Sequence, residues 1–404
     1  MKMDVINKFD GSVLGEVDDS TIDINKNTKE TLLEPMEIVN VMLEELSSML
    51  NDDTMMRVYS SETGKCLSSC RREIELSKLY LLYRAYPKVY GSYGNGRVIT
   101  SGFSRKRYSF IHQGIPVFSL TRELVESILE TSWIHIEHCK DSPIATMKIT
   151  EKLAERVHGF ENIMSETVCD YFQGINIKDA PEGGTVSIWG KERKLSETLD
   201  SMDIKYTGAT NYASIVRGQS QVDKAINSVM KLSFASVSNL GLSSQVYLVS
   251  DKEFLYFKNR VSELLKRTAT GSYSPDSNIN YYPGKRTIDN TKTAVKELLN
   301  NGWDFVDNIP DTVHVLTLQY GETPEKIREI NGPLIEIIHY TSLKECADIV
   351  QKMNFPEIIN IYTDSINDTE YLKQRFGNAI KISVNGTDER DIGNASLLSS
   401  SSNS

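Results

Sequence analysis

The densest group of metal-competent side chains is Trp133-Ile-His-Ile-Glu-His-Cys139, in which His135, His138 and Cys139 fall at i, i+3 and i+4. On a helix that spacing gathers three ligands on one face, an arrangement zinc accepts. No second ligand pair stands nearby, so hydrogen-bonded or surface residues explain the group more cheaply, and no metal site is expected. Cys66 and Cys70 are four apart without a partner histidine and read as structural. Ser243 and Ser244 carry hydroxyls, but serine is barely ionised at neutral pH and needs an adjacent base. Their segment contains no histidine, and Asp251 and Glu253 lie beyond the strand that follows. Lys148 and Glu151 by themselves read as a solvated pair at a helix start, and Thr207-Gly208 as a turn. Gly91-Ser-Tyr-Gly-Asn-Gly96 reads as a plain loop.

The elements that must position these residues alternate between helical and strand patterns, as an α/β fold requires. Glu34 to Leu50 has apolar residues at helical spacing, and a second helix is expected from about Arg71 to Tyr86. Phe118 to Ile134 reads as a strand end, a cap at Thr121 and a helix, with Glu123 in the first turn. Lys152 to Tyr171 reads as helix, Gly184 to Trp189 as strand, Val222 to Phe234 as helix and Gln245 to Val249 as strand. Asp289 to Asn301 is a helix closed by Gly302. Strands at Val313–Leu318, Leu334–Tyr340 and Ile358–Tyr362 flank a helix over Ser342–Met353.

A chain of 404 residues is long enough for two domains. Its net charge of −10 argues against nucleic acid or an anionic membrane as a partner. No apolar run reaches the roughly 18 residues of a membrane span, and the acidic N-terminus lacks a secretory h-region. Five cysteines without regular spacing suit reduced thiols and a cytoplasmic location.

Beyond these local readings, Phe234 to Phe257 resembles the catalytic segment of the aldehyde dehydrogenase superfamily, F-x-N-x-G-Q-x-C-x-A followed by a strand, an acidic turn and a helix. Phe234, Val249, Asp251, Phe254 and Phe257 hold that frame. Further resemblances follow in the family's order. Glu62-Thr-Gly-Lys65 with Arg72-Glu73-Ile74 resembles its E-T-G-K and the acidic helix downstream. Gly114-Ile-Pro-Val-Phe118 resembles its G-V-I-x-P-W-N-F-P strand and turn, and Met147-Lys-Ile-Thr-Glu151 its K-P-S-E. Tyr206-Thr-Gly-Ala-Thr210 resembles F-T-G-S-T, and Glu329-Ile-Asn-Gly-Pro-Leu334 resembles E-x-F-G-P-V.

The resemblance implies a doubly wound, Rossmann-like nucleotide-binding domain plus a second α/β domain of catalytic type. The implied divisions are a flexible leader over 1–33, a dinucleotide-binding-like domain over 34–218, the catalytic-type domain over 219–386 and a disordered serine-rich tail over 387–404. It also implies NAD or NADP as ligand, with Lys148 and Glu151 at the adenosine ribose, Thr207 and Gly208 against the pyrophosphate, and Glu329 at the nicotinamide ribose. Ala213 replaces the family's second glycine after T-G-S-T, which crowds the phosphate.

The family's chemistry is missing. Its nucleophilic cysteine falls on Gly241 or, with a three-residue slip, on Ser244, and no cysteine lies between Cys169 and Cys346. The oxyanion asparagine is absent from Val117-Phe-Ser-Leu120, and the general-base glutamate from Asn211 to Gln221. The family's terminal oligomerisation strand is absent too. The resemblance therefore implies a protein without cysteine-dependent aldehyde oxidation, retaining weak NAD(P) binding in a regulatory or partner role. Two alternatives stay open: a divergent oxidoreductase using a displaced nucleophile such as Cys139 or Cys169, or non-covalent hydride transfer; and an interaction scaffold with an empty nucleotide site.

Overall fold

The computed structural model describes residues 2–18, 32–85, 99–100, 105–111, 114–130, 132–169, 185–189, 203–207, 212–229, 233, 244–268, 275–276, 285–306, 314–318, 334–353, 358–377 and 380–386. The chain divides into two compact units, Met1–Ala209 and Thr210–Ser404. The division precedes Gly218 because the strand Tyr212–Val216 pairs on both sides within the second unit's sheet.

The first unit opens with an antiparallel hairpin, β1 (Lys2–Ile6) with β2 (Val13–Asp18). This corrects the loose leader for its opening stretch. The segment is polar, yet its one deeply buried residue, Val5, anchors it, and the Lys8 N–H donates to the Ser61 carbonyl at 2.7 Å. A short β3 (Leu32–Leu33) pairs with β4 (Ile99–Thr100). Three helices follow β3: α1 (Pro35–Asn51), α2 (Asp53–Thr63) and α3 (Leu67–Tyr80). Proline opens α1, where its missing N–H is harmless. Asp52 caps α2, and Gly64, with φ of 74°, ends it in the left-handed conformation.

The unit's sheet is built from β5 (Arg105–Phe110), β6 (Ser132–Cys139), β7 (Met164–Cys169), β8 (Thr185–Trp189) and β9 (Asp203–Thr207), all parallel, in the order β7-β6-β5-β8-β9. The crossovers are α4 (Pro116–Glu130) after β5 and α5 (Ile144–Arg156) after β6. Two sequence expectations change here. Pro116 starts α4 directly, so Phe118 is helical and Thr121 lies inside the helix with its Oγ1 donating to the Val117 carbonyl. The expected helix beyond Lys152 ends at Arg156, and Met164–Cys169 is a strand.

The second unit has a seven-stranded sheet. Its members are β10 (Tyr212–Val216), β11 (Ser244–Ser250), β12 (Trp303–Phe305), β13 (His314–Leu318), β14 (Leu334–Tyr340), β15 (Ile358–Tyr362) and β16 (Lys381–Val384). The order is β12-β13-β14-β11-β10-β15-β16, parallel except for β12. One face packs on α6 (Val222–Val229) and α7 (Asp251–Thr268) through Ala225, Phe254, Phe257 and Val261. The other packs on α8 (Lys285–Asn300), α9 (Leu343–Lys352) and α10 (Ile366–Phe376) through Leu298, Ile349 and Leu372. Helices on both faces make this unit doubly wound. The tail over 387–404 lies outside the described residues.

Candidate functional site

In the first unit the strand order reverses between β5 and β8. Doubly wound sheets take ligands at the carboxyl ends of their strands around such a point, often on a helix N-terminus whose free N–H groups hold a phosphate. Here the helices after β5 and β6 start on carboxylates of the protein itself. Glu73 Oε1 accepts the Phe118 N–H of α4 at 2.9 Å. Glu62 accepts the Ile144 and Ala145 N–H groups of α5 at 2.8 and 3.0 Å.

The Glu-Thr-Gly-Lys motif is the source of this arrangement. The left-handed turn at Gly64 brings Lys65 beside Glu73, whose Oε2 accepts from both the Lys65 ammonium and the Tyr59 hydroxyl. All three side chains are buried. Burial beside Glu73 pushes the Tyr59 hydroxyl well above its ordinary range. Burial also pushes the Glu62 carboxyl up to about 8, against the lowering effect of its two N–H bonds and of Lys8. Both of these helix starts are thus filled from within the chain, and Thr207 is the last residue of β9.

The other candidate residues are spread out. Lys148 and Glu151 sit beyond the first turn of α5, not at the end of β6. Lys148 Nζ is 3.6 Å from Met55 Sδ, in a cleft shared with Glu45, Ser48 and Asp52, and Glu151 is exposed. The lysine that stands at the carboxyl end of β6 is Lys140. The sequence does not single it out, because Lys140-Asp-Ser-Pro143 lacks the glutamate that follows Lys148 at three residues. Ser244 is the first residue of β11. Gly208, Gly241 and Glu329 lie outside the described residues.

The histidines are accounted for by their partners. As a strand, β6 turns His135 and His138 to opposite faces, so the helical one-face grouping does not form. His135 Nδ1 lies 2.7 Å from Ser165 Oγ, and burial pushes its ring down to about 4. His138 Nε2 pairs with Glu166 at 2.9 Å while its Nδ1 meets Thr146 Oγ1 at 2.8 Å. No group of side chains able to hold a metal ion occurs among the described residues.

The thiols are equally enclosed. Cys66, Cys70, Cys139 and Cys346 are buried thiols. Burial pushes the Cys70 and Cys346 thiols up, away from the thiolate that nucleophilic attack requires. Cys139 and Cys169 are neighbours in register at the carboxyl ends of β6 and β7.

In the second unit the order reverses between β10 and β15, and a carboxylate again occupies the start of a helix. Asp364, after β15, accepts the Ser220 N–H at 3.1 Å and Gln221 Nε2 at 3.0 Å in the turn that opens α6. The Ser220 hydroxyl donates to the same carboxylate and, with these bonds, lowers it below its ordinary range. Gly218 permits the approach, since a Cβ there would lie 2.7 Å from the Asp364 nitrogen. Arg217 Nε holds Asp368 at 2.8 Å alongside.

No sequence-family profile matches the chain, and no curated protein does. Solved structures do. A NAD-dependent benzaldehyde dehydrogenase from Corynebacterium glutamicum superposes with a TM-score of 0.73 at 13% identity, over 97% of this chain and 92% of that one. A glyceraldehyde-3-phosphate dehydrogenase from Methanocaldococcus jannaschii, complexed with NADP, gives 0.75 at 14%, over 95% and 90%. Aldehyde dehydrogenase 21 from Physcomitrella patens, in complex with succinate, gives 0.74 at 13%, over 96% and 87%. Two parallel-sheet units in this order, matched over nearly their whole length, give the chain the aldehyde dehydrogenase fold.

Proposed function

We propose that this protein is an aldehyde-dehydrogenase-fold protein that binds NAD or NADP weakly and does not oxidise aldehydes through a cysteine, acting instead in a regulatory or partner role in the cytoplasm. The observation that carries the reading is the lack of any cysteine between Cys169 and Cys346, the stretch that resembles the family's catalytic segment. The buried Cys139 and Cys346 offer no ready substitute. Support for a nucleotide comes from the parallel sheet and from the fold shared with NAD- and NADP-linked enzymes. Lys140, at the end of β6, is the better-placed ribose contact than Lys148.

The residues present fit the nucleotide in part. Lys140 would meet a ribose, and Thr207-Gly208 the pyrophosphate. The nucleotide would supply hydride-transfer chemistry when bound. What the chain's own residues do is occupy the starts of α4 and α5 with Glu73 and Glu62.

The test is a thermal-shift series with NAD⁺, NADH, NADP⁺ and NADPH, alongside an aldehyde turnover screen. A ligand at about a hundred times its dissociation constant adds roughly 2.7 kcal/mol of stability. A shift that Lys140→Ala weakens more than Lys148→Ala, without turnover, is the expected result. Turnover lost in Cys169→Ser would establish the displaced-nucleophile oxidoreductase instead. No shift with any of the four nucleotides would leave the scaffold.

A further inference from the structure

Every residue of β14 is buried. Its sequence, Leu-Ile-Glu-Ile-Ile-His-Tyr, suits that place except at Glu336. Strand alternation sets Glu336 on the face of Leu334 and Ile338. Its register neighbours are Val246 on β11 and Leu316 on β13. Those four residues belong to the core that also takes Val295 and Leu298 of α8, Trp303 of β12 and Ile349 of α9. Glu336 is 2% exposed, and its Oε2 has no hydrogen-bond partner. No ion pair reaches it among the described residues. Glu62, Glu73 and Glu123, the comparably buried acids of the first unit, all have donors.

The titratable groups around this core do not offset a charge on Glu336. Tyr340 on β14 and Cys346 on α9 share its core and are themselves kept neutral by burial. Lys292 and Lys296 on α8, Lys344 on α9 and Asp304 on β12 are exposed, and Glu297 and Asp348 are half-buried. On α10, Asp368 pairs with Arg217, Lys373 with Glu370, and Arg375 with Asp348. His314 occupies the first position of β13, two residues before Leu316. On the opposite face of β14, His339 packs edge-on to Phe254. An ionised carboxylate in an apolar core is disfavoured far more than a neutral acid.

We propose that Glu336 is a proton-held latch, which keeps the core of the second unit closed while it is protonated and opens β14 when alkaline pH removes the proton. Burial alone pushes this carboxyl up from its ordinary 4.5 to about 8. The sign follows directly. The folded chain keeps a proton that the unfolded chain releases, so stability is highest below 4.5, falls as pH rises and levels off above about 8. Over that window the folding constant falls by up to about tenfold per pH unit. The latch does not depend on nucleotide binding.

Hydrogen exchange followed by mass spectrometry on the full chain, between about pH 6 and pH 9, tests it against Glu336→Gln, which keeps the shape without the charge. The ratio of protection, variant over wild type, should rise by up to about tenfold per pH unit in β11, β13 and β14 until about pH 8, then stay level. The same ratio in β5 and β6 should not move. A ratio in β14 that is constant with pH overturns the proposal. Should the glutamine variant fail to fold, Glu336→Met gives the same comparison. Wild-type β14 protection that is flat across the range, after correction for intrinsic exchange, overturns it as well.

Discussion

Among the described residues, one buried acid sets the two units apart: the second unit's Glu253 accepts from the Ser250 hydroxyl as the first unit's acids accept from their donors, but Glu336 does not. In the first, each deeply buried carboxylate ends on donors from another element: Glu73 on Lys65, Tyr59 and the start of α4, Glu62 on the start of α5, and Glu123 on Arg107 and Ser109. In the second, Glu336 sits among aliphatic side chains with no donor for its Oε2. The first unit also buries His135 in its neutral form. Paired charges join elements that are distant in sequence, and their loss is felt as broken connections. An unpaired acid joins nothing and responds only to proton activity. In the first unit His135 should weaken the fold toward acid, while Glu62, raised to about 8 like Glu336, adds a loss toward alkali; in the second unit the loss toward alkali through Glu336 stands without donors to offset it.

Removing a shared carboxylate is the hardest test of this contrast. Glu73→Ala strands a buried lysine, a tyrosine hydroxyl and a helix N–H together, and should cost about 3–5 kcal/mol in urea unfolding. A loss under about 1 kcal/mol would mean that the cluster is solvated rather than buried. The acid side sharpens the contrast next. His135 is pushed down to about 4 from an ordinary 6.5, so its stabilising effect is complete above 6.5 and is lost as pH falls toward 4. Between pH 6.5 and pH 5 the loss should reach about 2 kcal/mol. His135→Asn should flatten that slope in the first unit and leave exchange from β14 unchanged. The smallest effect belongs to the one place where the second unit imitates the first. Gly218→Ala would press a methyl against the Asp364 backbone and should cost about 1–2 kcal/mol, seen as a lowered Tm. An unchanged Tm would show that the turn before α6 yields freely.

How far the sequence reveals this depends on the range of the interactions involved. Strands such as Leu334–Tyr340 and Ile358–Tyr362, and the helix capped by Ser342, are legible because an apolar run or a cap lies within a few residues. The hairpin at the start is not, because its turn is fixed by Asn7, Asp10 and Ser12 and its packing by a single valine. β6 reads as a helix only when its histidines are asked to act together. The Glu62 and Glu73 contacts join helices 82 and 45 residues away, so no local pattern announces them. The order of motifs pointed to the fold. The positions of Lys140 and Lys148 needed the strand end to be seen.

The hairpin carries one more consequence. Residues 2–18 are translated well before the groups that hold them, the Ser61 carbonyl and the Asp141 carboxylate that pairs with Lys8 at 2.9 Å. The hairpin must wait for partners translated long after it. Until Asp141 emerges, the nascent chain carries an unfinished edge there, and folding of the first unit closes backwards onto the hairpin.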